Sequence, residues 1–491
     1  MRIAFLNPQG NFDPRDSYWT QHPDFGGQLV YVKEIAIAMA ELGHDVDIVT
    51  RQIVDPQWPQ FAGTLDAYDG VERVRIVRIP CGPAGFLRKE ELWPYLGAEW
   101  APGILRFYEA EGGLPDAITT HYADGGLTGA LIERQTGIPF TFTGHSLGAQ
   151  KLDKMAPRPD NLAEIDQRFH FTQRILAERI AMNRAGVVIV STKQEQIEQY
   201  AHPAYGGAID PADDTRFAVI PPGVNLRRFD KDVVNALEEE VQAQLERVFA
   251  RDFAAARRQL PVIVSSSRLD AKKNHVGLVL AYAGSPDLQA VANLGIVVRG
   301  MEDPLRDYSQ AHGEERAILE EIASIVEKHA PWGTVSAFSL SGQDELAAAY
   351  RYLSRRRSVF CLTALYEPFG LAPLEAIAAG LPGVVTANGG PSESLYDSAT
   401  QTEYGVLVDP ADPADIARGL LQAVADPLRW RSYHDAGIRR VQEKYTWQRT
   451  AEGYERVISQ ILSRNEPIPR YFSQPDRYPL PVDELARVYF G

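Results

Sequence analysis

The sequence predicts an α/β protein made of two doubly wound, Rossmann-like domains in tandem. Three observations predict it. Short β-branched runs alternate with helical patterns from the first residues onward, the pattern of a mostly parallel sheet with helices on both faces. That pattern stops at the rigid turn Pro221-Pro222-Gly223-Val224-Asn225 and then starts afresh. The chain, at 491 residues, is also too long for one ordinary domain.

In the first half, residues 3–7, 46–50, 75–80, 117–121, 140–145, 187–192 and 217–221 read as strands. Between the first two, residues 28–42 place Val30, Ile35, Ala36, Met39 and Ala40 on one helical stripe, and Gly43 closes the helix. A charged helix is expected over 233–258. Strands then recur at 262–267, 295–299, 334–339, 358–363, 383–386 and 405–409, with helices such as 344–353 and 414–424 between them. A last amphipathic helix runs from Trp447 to Leu462, and the tail over 467–490 is expected to pack back on the first domain. The domains are therefore set at 1–224, completed by 447–491, and at 225–446. Two such domains would form a cleft between strand carboxyl ends, suited to two ligands.

Composition narrows the function. A formal charge of −15 opposes non-specific binding to nucleic acid or to an anionic membrane. Only Cys81 and Cys361 occur, both in strand-like surroundings, which argues against a disulfide framework and for a reducing compartment, the cytoplasm. Asn7 interrupts the amino terminus before a signal-peptide core could form, and no run reaches membrane-span length. In so acidic a chain, local clusters of positive charge become informative.

The segment Tyr366-Glu367-Pro368-Phe369-Gly370-Leu371-Ala372-Pro373-Leu374-Glu375 links a strand to a helix start. Such a junction offers free backbone N–H groups to an anion, and Gly370 lets the backbone approach a ligand. Glu367 and Glu375 could act as a carboxylate pair or as a cap and a solvated face. Arg268, Lys272 and Lys273 leave the first strand of the second domain, where Arg268 and Lys273 could converge on a phosphate. Gly26-Gly27-Gln28 opens the first helix and suits either an anion or a tight turn. Asp45-Val46-Asp47 matches a metal-binding D-x-D, but its place inside a strand favours a structural role. Gly144-His145-Ser146-Leu147-Gly148 satisfies the hydrolase nucleophile elbow, although a hydrolase accounts for one sheet and this chain has two.

These residues together resemble the retaining nucleotide-sugar glycosyltransferases of GT-B fold. The resemblance rests on Gly26-Gly27-Gln28, His145-Ser146-Leu147-Gly148, Arg268 with Lys273, the spacing from Glu367 to Glu375, and Asn388-Gly389-Gly390-Pro391. Asn7-Pro8-Gln9-Gly10, the run from His22 to Val32, and Gly144 to Lys151 bring the chain closest to the sucrose-phosphate synthase group.

The resemblance implies a donor site in the second domain. There Arg268 and Lys273 would hold the diphosphate, helped by backbone around Phe369, Gly370 and Leu371. Glu375 would take the ribose hydroxyls and Glu367 the transferred sugar, and Arg299 and Leu340 would lie by the base. Gly27 would lie beside the diphosphate and His145 beside the sugar. The resemblance also implies an acceptor site at Gly26, Gln28, Lys89, Ser146, Lys151 and Arg174, with the three cations meeting a sugar phosphate. Where plant members carry two adjacent arginines, this chain has Gln173-Arg174.

The implied reaction moves glucose from UDP-glucose to fructose 6-phosphate by front-face displacement, with no metal or other cofactor. Its catalytic groups would be His145, Arg268, Lys273 and Glu367. A mannosylfructose-phosphate synthase, a sucrose synthase-like enzyme, a serine hydrolase and a non-catalytic sugar-nucleotide binder are the alternatives.

Overall fold

The computed structural model describes residues 1–19, 25–329, 332–464 and 482–490. His22, Pro23 and Asp24 of the resemblance lie outside these residues, as does most of the tail. The chain divides into two compact units, Met1–Pro221 with Trp447–Gly491, and Pro222–Thr446.

Among the described residues, unit 1 carries an eight-stranded sheet. Its strands are β1 (Arg2–Leu6), β2 (Asp45–Arg51), β3 (Leu65–Asp66), β4 (Val74–Ile79), β5 (Ala117–His121), β6 (Phe140–Thr143), β7 (Val187–Val190) and β8 (Phe217–Val219). They lie in the order β3-β4-β2-β1-β5-β6-β7-β8, all parallel except the short β3. Successive residues of β1 enter opposite cores: Ile3 and Phe5 pack with Val46 and Ile48, and Ala4 and Leu6 pack with Val49 and Ile118. Strands buried on both faces read as continuous apolar runs, so they were visible in the sequence. The helix Trp447–Leu462 returns to this unit, where its Tyr454 hydroxyl lies 3.0 Å from those of Tyr31 and Thr143. The helix Val482–Phe490 places buried Leu485 in the same unit's core.

Unit 2 carries β9 (Val262–Ser266), β10 (Asn293–Val297), β11 (Val335–Phe338), β12 (Val359–Leu362), β13 (Gly383–Thr386), the two-residue hairpin strands β14 (Tyr396–Asp397) and β15 (Thr402–Glu403), and β16 (Val406–Val408). Its parallel sheet has the order β11-β10-β9-β12-β13-β16.

Several elements differ from the sequence reading. The helix expected over 233–258 runs only from Glu238 to Asp252. Asn235 turns back on the Leu237 N–H before it, three glutamates then open it at the positive end of its dipole, and Phe253 adopts an extended backbone that ends it. The strand expected over 140–145 stops at Thr143, because His145 has a left-handed backbone, φ +55°. The helix Pro427–Lys444 and the short strands β3, β14 and β15 had no counterpart in the reading.

Candidate active site

In unit 2 the strand order reverses between β9 and β12, and the loops that follow these two strands flank the reversal. Open α/β sheets bind ligands at such a switch point. The loops are tied together: the Leu365 N–H donates to the Lys272 carbonyl at 2.8 Å, and the Thr363 hydroxyl donates to the Asn274 carbonyl at 3.1 Å. Across this seam Lys273 Nζ donates to Glu367 Oε2 at 2.7 Å. Asp270 accepts from the Lys273 N–H, and Asn274, at φ +56°, accepts from the Gly277 N–H and starts the next helix.

A third loop locks the Glu367 segment from the other side. The Glu367 N–H donates to the Asn388 carbonyl at 3.1 Å, and the Gly390 N–H donates to the Glu367 carbonyl at 3.0 Å. A Cβ on Gly389 would lie 2.1 Å from the Glu367 carbonyl oxygen, and one on Gly390 would lie 2.5 Å from that of Phe369. Backbone meets backbone here, which explains both glycines. Gly370, at φ +93°, then opens the helix Leu371–Ala378, whose first residue is Leu371. Phe369 is half-buried near the Tyr445 ring, 6.0 Å between centroids.

Glu375 lies one turn into that helix. Burial pushes its carboxyl up to about 7, only partly offset by Arg228. Arg268 is not gathered into the pair: its side chain is 89% exposed, and its ion pair is with Asp270 at 3.8 Å. Arg299 is exposed, whereas the Leu340 side chain is buried with Phe338 and Phe249. A cavity of about 560 Å³ adjoins them, lined by Gly300, Ser339 and Ser341 with Gln244, Arg247 and Arg251.

In unit 1 the order reverses between β1 and β5. Tyr122 follows β5 at φ +61° and starts a helix that runs to Thr136. Lys151 Nζ and the Arg174 guanidinium lie 5.9 Å and 5.8 Å from the centre of its ring. Burial, then Arg174, then Lys89, lowers the Lys151 ammonium to about 7, so the three predicted cations do share one neighbourhood. Lys89 has Glu90 at 3.8 Å. Arg174 is held by Glu178 at 3.0 Å and donates to the Ser146 carbonyl.

Glu178 itself was not foreseen. Its buried carboxylate also accepts from the Gly148 N–H at 2.9 and 3.0 Å and from the Tyr205 hydroxyl, so it fixes both Arg174 and the turn that carries Ser146. Asp124 is a second residue the sequence reading missed. It is buried at the switch point beside Gln9, burial raises its carboxyl to about 6, and Oδ2 has no hydrogen-bond partner. The Asp124-Gly125-Gly126 run just after a strand was the available signal: a Cβ on Gly125 would lie 2.6 Å from the Leu6 carbonyl.

Gly26 caps the first helix, which starts at Gly27, and a Cβ on Gly27 would meet nothing within 4 Å. Gln28 is half-buried beside them. His145 packs edge-on to Tyr31, 4.9 Å between centroids, and its Nε2 lies 2.9 Å from His121 Nδ1.

The elbow geometry of a hydrolase is not met, since the left-handed residue is His145 rather than Ser146, and buried Ser146 Oγ has no hydrogen-bond partner. The D-x-D pair sits at the amino end of β2, away from strand carboxyl ends. There Asp47 accepts from Arg75, Arg2 and Tyr108, and Asp45 pairs with Arg73. Among the described residues no helix is long and apolar enough to cross a membrane.

Comparisons with known proteins bear on both units. The family profile "Glycosyl transferase 4-like domain" matches residues 26–223, and "Glycosyl transferases group 1" matches residues 248–440. A probable sucrose-phosphate synthase from Thermosipho melanesiensis is 41% identical over 474 residues, covering 96% of this chain and 99% of that protein. A probable sucrose-phosphate synthase 1 from Oryza sativa is 33% identical over 90% of this chain, which spans only 44% of that longer protein. The solved sucrose-phosphate synthase of Thermosynechococcus elongatus superposes with a TM-score of 0.65 at 25% identity, over 94% of this chain and 99% of that one. Two doubly wound parallel sheets, glycosyltransferase matches on both, and a near full-length relative lead to one conclusion: this chain is a glycosyltransferase of GT-B fold and belongs to the sucrose-phosphate synthase family.

Proposed function

We propose that this protein transfers glucose from UDP-glucose to fructose 6-phosphate, releasing UDP and sucrose 6-phosphate, in the cytoplasm. The observation that carries the acceptor half is the gathering of Lys151 and Arg174 around Tyr122, with Lys89 close enough to act on Lys151, in an otherwise acidic chain. A free hexose has no use for three cations, whereas a phosphate dianion returns the proton that burial takes from Lys151.

The donor is assigned to unit 2. Lys273, Arg268 and the N–H groups at Gly370 and Leu371 would meet the diphosphate, and Glu375 the ribose. Charge develops on the leaving diphosphate as its bond to the anomeric carbon lengthens, so a cation fixed in advance, as Lys273 is, lowers the barrier, and Arg268 would swing in from solvent to join it. Glu367 is already paired with Lys273, which suits it to accept from sugar hydroxyls rather than to serve as a base. The diphosphate oxygen on the attacked face then takes the acceptor hydroxyl's proton, and the anomeric configuration is retained.

The test is a grid of UDP-, ADP- and GDP-linked glucose and mannose against fructose and fructose 6-phosphate, scored by nucleotide release and product mass. The expected result is release with UDP-glucose and fructose 6-phosphate. Silence in every combination would sink the transferase reading, and a preference for free fructose would sink the acceptor.

A further inference from the structure

His121 ends β5 and is fully buried. Its ring stacks on Phe5, with 5.8 Å between centroids and 18° between planes, and meets the Tyr31 ring at 6.0 Å. One nitrogen, Nδ1, lies 2.9 Å from His145 Nε2. The other, Nε2, is buried with no hydrogen-bond partner.

One hydrogen bond between two imidazoles needs one proton. Desolvation lowers both rings, His145 to about 3, so both are neutral at physiological pH. That leaves two arrangements. If His145 Nε2 carries the shared proton, His121 must carry its own on Nε2, as a buried N–H with no acceptor. If His121 Nδ1 carries it, His121 Nε2 is a bare lone pair and His145 bears its proton on Nδ1. An unpaired buried group costs free energy whether it donates or accepts, but an orphaned N–H is rarer in folded proteins than an acceptor left short of a donor. The second arrangement is therefore the favoured one.

We propose that His121 is a positioning residue: it donates to His145 Nε2, fixes the ring of a residue held at φ +55°, and makes His145 present Nδ1–H as a hydrogen-bond donor. Resting on the reading in which His145 lies beside the transferred sugar, this assigns His145 a sugar oxygen, an acceptor of hydrogen bonds, as its partner. A charged His145 or an acceptor His145 would select differently.

The tautomer can be read without any substrate. The chain has 10 histidines, so the full-length protein labelled with 15N-histidine gives a tractable two-bond proton–nitrogen correlation spectrum. The expected pattern for His145 is a protonated Nδ1 and a bare Nε2; a protonated Nε2, or an imidazolium at neutral pH, overturns the proposal. In turnover, His121→Phe keeps the ring stacked on Phe5 and removes the donor. It should lower kcat about tenfold, the rate equivalent of one lost hydrogen bond, with both KM values little changed. His121→Asn restores an N–H at the same position and should recover part of that loss. Equal turnover in His121→Phe and the parent, or equal damage in both variants, overturns the proposal. Should the transferase reading itself fail, the parent is silent on every substrate pair, while the spectrum still decides the tautomer.

Discussion

Lys273 and Glu367, 94 residues apart, form an ion pair of 2.7 Å at the switch point of the second sheet, with side chains 21% and 13% exposed. On the proposed function the pair holds two unlike groups ready: the cation for a diphosphate and the carboxylate for sugar hydroxyls. Lys273→Ala should cut kcat/KM for the donor by on the order of a hundred- to a thousandfold, the range for a lost charge-stabilising donor. Lys272 sits on the same turn but is exposed, and Lys272→Ala should stay within about twofold, the size of a minor surface change. Nucleotide release measures both, and equal losses would reassign the diphosphate ligand.

Glu375 should couple donor binding to pH. Burial lifts its carboxyl to about 7, so it is protonated in acid and ionised in mild alkali. Its contribution to stability is full below its ordinary acidic range and is lost as pH rises through about 7. Donor affinity should move the opposite way, since a carboxylate accepts two ribose hydroxyls better than its acid does. Calorimetric titration of UDP on either side of neutrality should show tighter binding on the alkaline side, and proton release on the acid side, where the free carboxyl still carries its proton. Glu375→Gln should flatten that dependence, and an unchanged slope would remove Glu375 from the ribose.

Acceptor binding should have the reverse sign. Lys151 is lowered to about 7 by burial and by Arg174 and Lys89, and a bound phosphate would raise it again. Above about pH 7 the protein must therefore take up a proton to bind the phosphorylated sugar, so its KM should climb with pH while that for free fructose stays level. Lys151→Arg keeps its charge throughout this range and should flatten the climb. A slope unaltered in Lys151→Arg would place the phosphate elsewhere.

The fold was legible because its central strands are buried on both faces and appear as uninterrupted apolar runs closed by polar turns, as β9 and β12 do. The site was legible only where chemistry and backbone geometry coincide in a short stretch, as from Glu367 to Glu375. Partnerships across strands were not. His121 pairs in register with Thr143 on the neighbouring strand, and this alone brings His145 within reach. Glu178 reads as a surface helix glutamate until the turn at Gly148 closes over it. Arg268 shows the limit from the other side: sequence set it beside Lys273, but it extends to solvent.

Ser146 separates transfer from hydrolysis. Its hydroxyl is buried without a partner, and His145, the adjacent histidine, turns Nε2 to His121 instead. Ser146→Ala should leave turnover within about tenfold, since one neutral hydrogen bond to the acceptor is at stake. Esterase activity that vanishes in this variant would revive the nucleophile elbow.

The glycine at 389 gives the sharpest stability test. It is left-handed at φ +100°, and an added Cβ would lie 2.1 Å from the Glu367 carbonyl oxygen, a backbone atom that cannot swing aside. Gly389→Ala must therefore push the two loops apart, breaking one or both backbone hydrogen bonds between them and drawing Glu367 off Lys273. Strain and lost bonds together should cost roughly 2 to 4 kcal/mol, seen as a lower Tm, and donor binding should fall further than stability alone explains. Gly27→Ala is the contrast: its Cβ meets nothing within 4 Å and its backbone needs no left-handed angle. That variant should keep the parent Tm and lose turnover if, as its expected place beside the diphosphate requires, a ligand takes up that space. If Gly389→Ala melts and turns over like the parent, the backbone contact does not set the Glu367 loop.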